Sequence, residues 1–94
     1  MVVTVDLPAV LRPYAGGRAE VVLDVPDGCT VRAVLDRLAA DAPALERRLR
    51  DERGALRQYV NVYLGDDDVR TAGLLDSRVP ERARLLVLPS VAGG

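Results

Sequence analysis

Apolar residues in this 94-residue chain recur at every second position near both ends and at helical spacing in between. A change of period from two to 3.6 and back admits few folds. Val3, Val5 and Leu7 alternate with Val2, Thr4 and Asp6, the pattern of a strand with one buried face, and Pro8 ends it. After Leu11, Arg12, Pro13, Tyr14 and Ala15, the pair Gly16-Gly17 supplies residues able to take positive φ. Val21, Leu23 and Val25 then alternate against Glu20, Val22 and Asp24, so the opening unit reads as a β-hairpin with a rather long loop.

Pro26-Asp27-Gly28 breaks the second strand, and Thr30 stands at an N-cap position before Val31, Val34, Leu35 and Leu38, which share one helical face. The helix is expected to stop near Asp41-Ala42, because Pro43 restricts the residue before it and lacks a backbone donor. Leu45 and Leu49 predict a short second helical piece, with Gly54 after it. From Tyr59 the period returns to two, with Val60, Val62 and Leu64 on one face and Tyr59, Asn61 and Tyr63 on the other. Gly65 to Asp68 then predicts a tight turn, Val69-Arg70 a brief edge strand, and Arg84 to Leu88 a last strand ended by Pro89. The order ββαββ, with one main helix covering one face of a mixed sheet, is an α+β roll. In it the first and last strands run parallel side by side at the centre. The expected organisation is one domain over residues 1–89 and a flexible C-terminal Gly-Gly tail over residues 90–94.

Composition removes most chemistry. The chain has one cysteine, Cys29, and no histidine, so neither a disulfide nor the usual zinc and general-base side chains are at hand, and no metal site is expected. Cys29 has no cationic neighbour in sequence to activate it, which favours an incidental role. Asp66, Asp67 and Asp68 read as a solvated turn rather than a cation site, since three adjacent carboxylates need further ligands from elsewhere. Gly16-Gly17 joins two strands, unlike a phosphate-cradling loop, which precedes a helix. The net charge of −1 and the scattered arginines argue against nucleic acid. No basic leader with a long apolar stretch opens the chain, and no apolar run approaches the roughly 18–20 residues that span a bilayer, so a cytoplasmic protein without membrane contact is expected.

What remains is the C-terminus. Ser90, Val91, Ala92, Gly93 and Gly94 follow a complete strand and its terminating proline, and the last two residues have no side-chain bulk. Such an end fits a narrow channel in another protein, because glycine lets backbone approach backbone closely. A bare terminal Gly-Gly carries little meaning by itself; joined to the ββαββ order it marks a presented tail. A second feature supports partner binding. Leu85 to Leu88 is apolar on both strand faces although one helix covers only one, so Leu86 and Leu88 are expected to point outward near Tyr63 and Tyr59 as a docking patch.

Three segments together resemble a known family: Leu11 to Gly17, Tyr59 to Leu64 with Asp67 to Arg70, and Leu88 to Gly94. The chain resembles the ubiquitin-like sulfur carriers of the ThiS/MoaD superfamily over nearly its whole length, and within it the CysO-type carrier of cysteine biosynthesis. Tyr14-Ala15 and Ser90 are positions where the family's residues are not assumed, which leaves partner choice open. The resemblance implies a β-grasp fold and a protein that is no enzyme but a co-substrate of enzymes. A ubiquitin-activating-type adenylyltransferase and sulfurtransferase would adenylate the Gly94 carboxylate and convert it to a thiocarboxylate. Gly93, Ala92 and Val91 would thread the channel. The sulfur acceptor would be a cysteine synthase or another synthase making thiamin, molybdopterin or a thio-sugar, with a metalloprotease releasing cysteine. The chain itself would bind no cofactor and act as a monomer; ATP with Mg and pyridoxal phosphate belong to the partners. Two alternatives stay open: a ubiquitin-like modifier conjugated to lysines of targets, and a non-catalytic interaction module with an inert tail.

Overall fold

A computed structural model of the chain describes residues 1–69 and 74–89. Strand β1 (Val2–Asp6) pairs antiparallel with β2 (Glu20–Asp24), placing Val3 opposite Leu23 and Val5 opposite Val21, all four buried. The connection between them is a 3-10 helix over Ala9–Ala15 that buries Leu11 and Ala15. Gly16 caps it in the left-handed region at φ 69°, and the Gly17 N–H donates to the Arg12 carbonyl at 2.7 Å. A Cβ on Gly16 would meet nothing within 4 Å, so the backbone angle alone calls for glycine there.

Helix α1 (Val31–Asp41) begins at Thr30, whose hydroxyl accepts the Ala33 N–H at 3.2 Å and so satisfies one of the open donors of the first turn. Val31, Val34, Leu35 and Leu38 form its buried stripe. The chain leaves helical geometry at Ala42 and re-enters it at once, with Pro43 in the first turn of α2 (Pro43–Leu49), where a missing donor costs nothing. Leu45 and Leu49 are buried beneath α2. One main helix was expected to cover the sheet. The cover is shared instead by α1, α2 and the 3-10 helix over Ala9–Ala15, with another 3-10 turn at Leu74–Asp76 packed on α1.

The remaining strands are β3 (Val60–Leu64), β4 (Asp67–Asp68) and β5 (Arg84–Pro89), and the five-stranded sheet runs β2-β1-β5-β3-β4. β5 lies parallel to β1, with Thr4 against Arg84 and Asp6 against Leu86, and antiparallel to β3. The edge strand departs from expectation. The reversal needs only Gly65, at φ 62°, and Asp66, so Asp67 and Asp68 pair with Leu64 and Tyr63 as strand rather than turn residues. The Val69 N–H still reaches the Val62 carbonyl at 2.9 Å, while Arg70, placed in that edge strand by sequence, lies outside the described residues. Val3, Val5, Val62, Leu85 and Val87 on the sheet and the α1 and α2 stripes form one contiguous core.

Among the described residues, one charged side chain is buried with it. Arg50, at the C-cap of α2, is 7% exposed and grips both carboxylate oxygens of Glu46 at 2.6 Å while reaching Asp36 on α1 at 2.8 Å. The fork clamps the two helices together, and the hydrogen bonds it donates to Glu46 hold the guanidinium protonated above its ordinary range.

Two outcomes check this packing. Leu85→Ala, in the central strand and fully buried, should lower stability by about 3 kcal/mol in urea unfolding, whereas Leu86→Ala on the opposite face should cost about 1 kcal/mol or less. Arg50→Ala should cost about 2 kcal/mol, below the full value for a buried pair because Asp36 remains solvated.

Candidate functional site

The face of the sheet that the helices leave open is built from the outward half of each alternation. Along β5 Leu85 and Val87 are fully buried, while Leu86 and Leu88 are each 38% exposed. The register sets Tyr63 directly opposite Leu86 and Asn61 opposite Leu88. A small apolar patch therefore sits over the centre of the sheet, on the strand that leads to residue 90. Tyr59 lies elsewhere. It precedes β3, is well exposed, and lines a cavity with Tyr14, Ala44 and three arginines at the end of the sheet. The structure thus brings Tyr63, Leu86 and Leu88 together and sets Tyr59 apart from them. Val91, Ala92, Gly93 and Gly94 lie outside the described residues.

Beside the patch is a charged cluster that the alternation of single strands could not disclose. Arg84 donates to both oxygens of Asp6, at 3.0 and 2.7 Å, and to Glu20 on the next strand. β2, β1 and β5 are thereby joined across the open face. The hydrogen bonds from Arg84 hold the Asp6 carboxyl below its ordinary value of 3.8, and the two carboxylates hold the Arg84 guanidinium protonated above its usual range. The signal was present in the sequence only as parity: Arg84 shares a strand face with Leu86, and Asp6 with Thr4 and Val2. Val22, opposite Thr4, is also exposed on this face and extends its apolar character toward β2.

The remaining candidates take structural places. Cys29 is half-buried against the core, and its carbonyl accepts the Val79 N–H at 2.9 Å. Asp67 and Asp68 are consecutive strand residues and so project to opposite faces. Among the described residues no three His, Cys, Asp or Glu side chains are grouped to hold a metal ion, and no helix is long and apolar enough to cross a membrane.

The geometry is thus a central β5 parallel to β1 and an open face that carries Tyr63, Leu86 and Leu88. The family model described as the ThiS family matches residues 5–94. The chain belongs to the ThiS family. Among its relatives, the sulfur carrier protein CysO of Mycobacterium tuberculosis is 38% identical over 96 residues, spanning all of both chains. The crystal structure of SAMP1 from Haloferax volcanii superposes with a TM-score of 0.84 at 30% identity, covering 100% of each chain. A chain of the Amycolatopsis orientalis BexX/CysO complex superposes with a TM-score of 0.82 at 37% identity, covering 98% of this chain and 99% of that one. The fold is the ubiquitin-like β-grasp that the resemblance implied.

The Arg84 cluster carries a pH signature. The folded pKa of Asp6 is depressed, so its pairing stabilises the fold above the unfolded value and the contribution disappears as pH falls through the folded one. Arg84→Met should therefore be less stable than the parent at about pH 7, and the difference should shrink when urea unfolding is repeated at about pH 3.

Proposed function

We propose that the protein is a sulfur carrier in which residues 1–89 present a tail of residues 90–94, and that the Gly94 carboxylate is its reacting group. The observation that carries the reading is the full-length likeness to the sulfur carrier protein CysO of Mycobacterium tuberculosis. The geometry supports it: β5 is the middle of the sheet, so the residues that follow it are rooted in the most firmly held strand of the domain. Side-chain chemistry is correspondingly sparse, with no histidine in the chain.

The chemistry then divides between this chain and its partners. The Gly94 carboxylate attacks the α-phosphate of ATP on a ubiquitin-activating-type enzyme, with Mg bound there, and pyrophosphate leaves. The acyl-adenylate is a mixed anhydride, and a sulfide-level donor displaces AMP from its carbonyl carbon to give the thiocarboxylate. A thioacid is ionised at neutral pH, so the sulfur is a nucleophile that stays tethered instead of diffusing away. Its acceptor is a cysteine synthase, whose pyridoxal phosphate supplies the electrophile, or another sulfur-accepting synthase. In the cysteine route an acyl shift leaves cysteine amide-linked to Gly94, and a metalloprotease frees it. Gly93, Ala92 and Val91 pass through the partner's channel, where only glycine permits the closest backbone approach. Leu86, Leu88 and Tyr63 form the docking face, and the protein works as a cytoplasmic monomer.

A second reading rests on its own observation, the likeness to the small archaeal modifier protein SAMP1 of Haloferax volcanii. There the activated carboxylate would be taken by a lysine of a target protein. This chain has thirteen arginines and no lysine, so it offers no side-chain amine for chaining copies of itself. Gly-Gly remnants on cellular lysines would favour this reading.

Intact-mass spectrometry after incubation with an activating enzyme, MgATP and a sulfide donor should show one oxygen replaced by sulfur, and deletion of Gly94 should abolish the change. Absence of the change with every activating enzyme of the cell would sink the proposal. Leu86→Asp should leave the fold intact and lower kcat/KM for ATP–pyrophosphate exchange by about tenfold or more, because a charge then sits at the centre of the docking face.

A further inference from the structure

On the open face, the outward positions of β5 are Arg84, Leu86 and Leu88, and those of β3 are Asn61 and Tyr63. The register sets Tyr63 against Leu86 and Asn61 against Leu88. Leu88 is the last outward residue before residue 90, so Asn61 stands beside the start of the tail. Its residue type is out of keeping with its place. Asparagine is depleted in strands, which favour β-branched and aromatic residues, and β3 otherwise follows that preference with Val60, Val62 and Tyr63. In a locally consistent sequence such departures are expected at working positions.

The fold itself does not use the carboxamide. Among the described residues no group hydrogen-bonds it, and no buried polar side-chain atom is left without a partner, so water reaches it on the half-buried Asn61. Docking changes that. Leu86 and Leu88 are each 38% exposed, and a protein that covers them covers Asn61 too, because opposed Cβ atoms of an antiparallel pair lie about 5 Å apart. A carboxamide that trades water for apolar atoms weakens binding by about tenfold or more. The face therefore rejects a surface that is apolar at this spot and accepts one that supplies both a donor and an acceptor. Arginine and lysine only donate, and a carboxylate only accepts. A residue of an extended main-chain segment does both, since its N–H and C=O point to the same side as in an antiparallel hydrogen-bonded pair.

We propose that Asn61 is a specificity-determining residue of the docking face, its carboxamide pairing with the N–H and C=O of one extended main-chain residue of the protein that receives the tail. Leu86, Leu88 and Tyr63 supply apolar area, and Asn61 selects which surface can lie on it. That a tail-receiving protein provides this main-chain residue rests on the sulfur-carrier reading.

The probe is the activating enzyme that gives the parent chain its sulfur-for-oxygen mass change, assayed by ATP–pyrophosphate exchange at varied carrier concentration. Asn61→Leu should raise KM for the carrier about tenfold and change kcat by less than about twofold. The sign is decisive, because a purely apolar face would be enlarged by leucine and KM would fall. The urea midpoint of Asn61→Leu should match or exceed that of the parent, which separates lost docking from lost stability. Asn61→Asp, equal in shape but charged and without donors, should raise KM as well. In the parent complex the Asn61 side-chain NH2 signals should move downfield and exchange more slowly with water. Should Asn61→Leu aggregate, Asn61→Thr, a better strand former that keeps one hydroxyl, should still raise KM by about threefold or more. An unchanged or lower KM in the leucine or threonine variant would overturn the proposal. So would a lower KM in Asn61→Asp, which would place a cationic side chain of the partner there. If no activating enzyme of the cell converts the parent, the sulfur-carrier reading and this role for Asn61 fall together; conversion with KM indifferent to Asn61 removes the role alone.

Discussion

The parallel pairing of β1 with β5 is the constraint on which the rest of the molecule depends. Two parallel neighbours cannot be joined by a tight turn. Here everything between Leu7 and Ala83 is their connection, and that connection must supply the flanking strands and the cover for one face. β2 folds back on β1 and closes one side; β3 and β4 close the other. α1 and α2 fill the inner face with Val31, Val34, Leu35, Leu38, Leu45 and Leu49. Because that cover is one-sided, the alternation along β5 divides its residues by role: Leu85 and Val87 belong to the core, and Leu86 and Leu88 to whatever approaches from outside.

Arginine serves two different purposes in this frame. Arg50 is nearly buried and works as a clamp between α1 and α2, its charge matched by two acids. Arg84 is half-exposed and stitches three strands together across the open face. The same planar fork thus acts inside the fold and along its surface, and a lysine's point charge would reproduce none of the bidentate contacts.

Much of this was legible in the sequence because it depends on local period. The buried residues of β1, β2 and β3, the Thr30 cap, the α1 stripe, the break at Pro43 and the short second helix all follow from spacing and capping. The central parallel pair followed from the order of elements. Features set by contacts between distant residues were not legible. The edge strand falls at Asp67–Asp68 because a two-residue reversal suffices at Gly65-Asp66, whereas three consecutive aspartates read as turn. Tyr59 shares parity with Tyr63, yet the sheet ends at Val60, so Tyr59 faces the 3-10 helix and α2 instead of the β5 leucines. The Arg84 cluster and the arginine cavity required knowing which strand lies beside which. The first joins Asp6, Glu20 and Arg84, which are far apart in sequence.

The central place of β5 also bears on how the protein is made. It is the last of the described elements to leave the ribosome, and it supplies Leu85 and Val87 to the core as well as the hydrogen bonds that join the β1–β2 pair to the β3–β4 pair. A nascent or prematurely terminated chain therefore holds two half-sheets with nothing between them. Folding awaits β5, so a folded domain certifies that translation has reached Pro89.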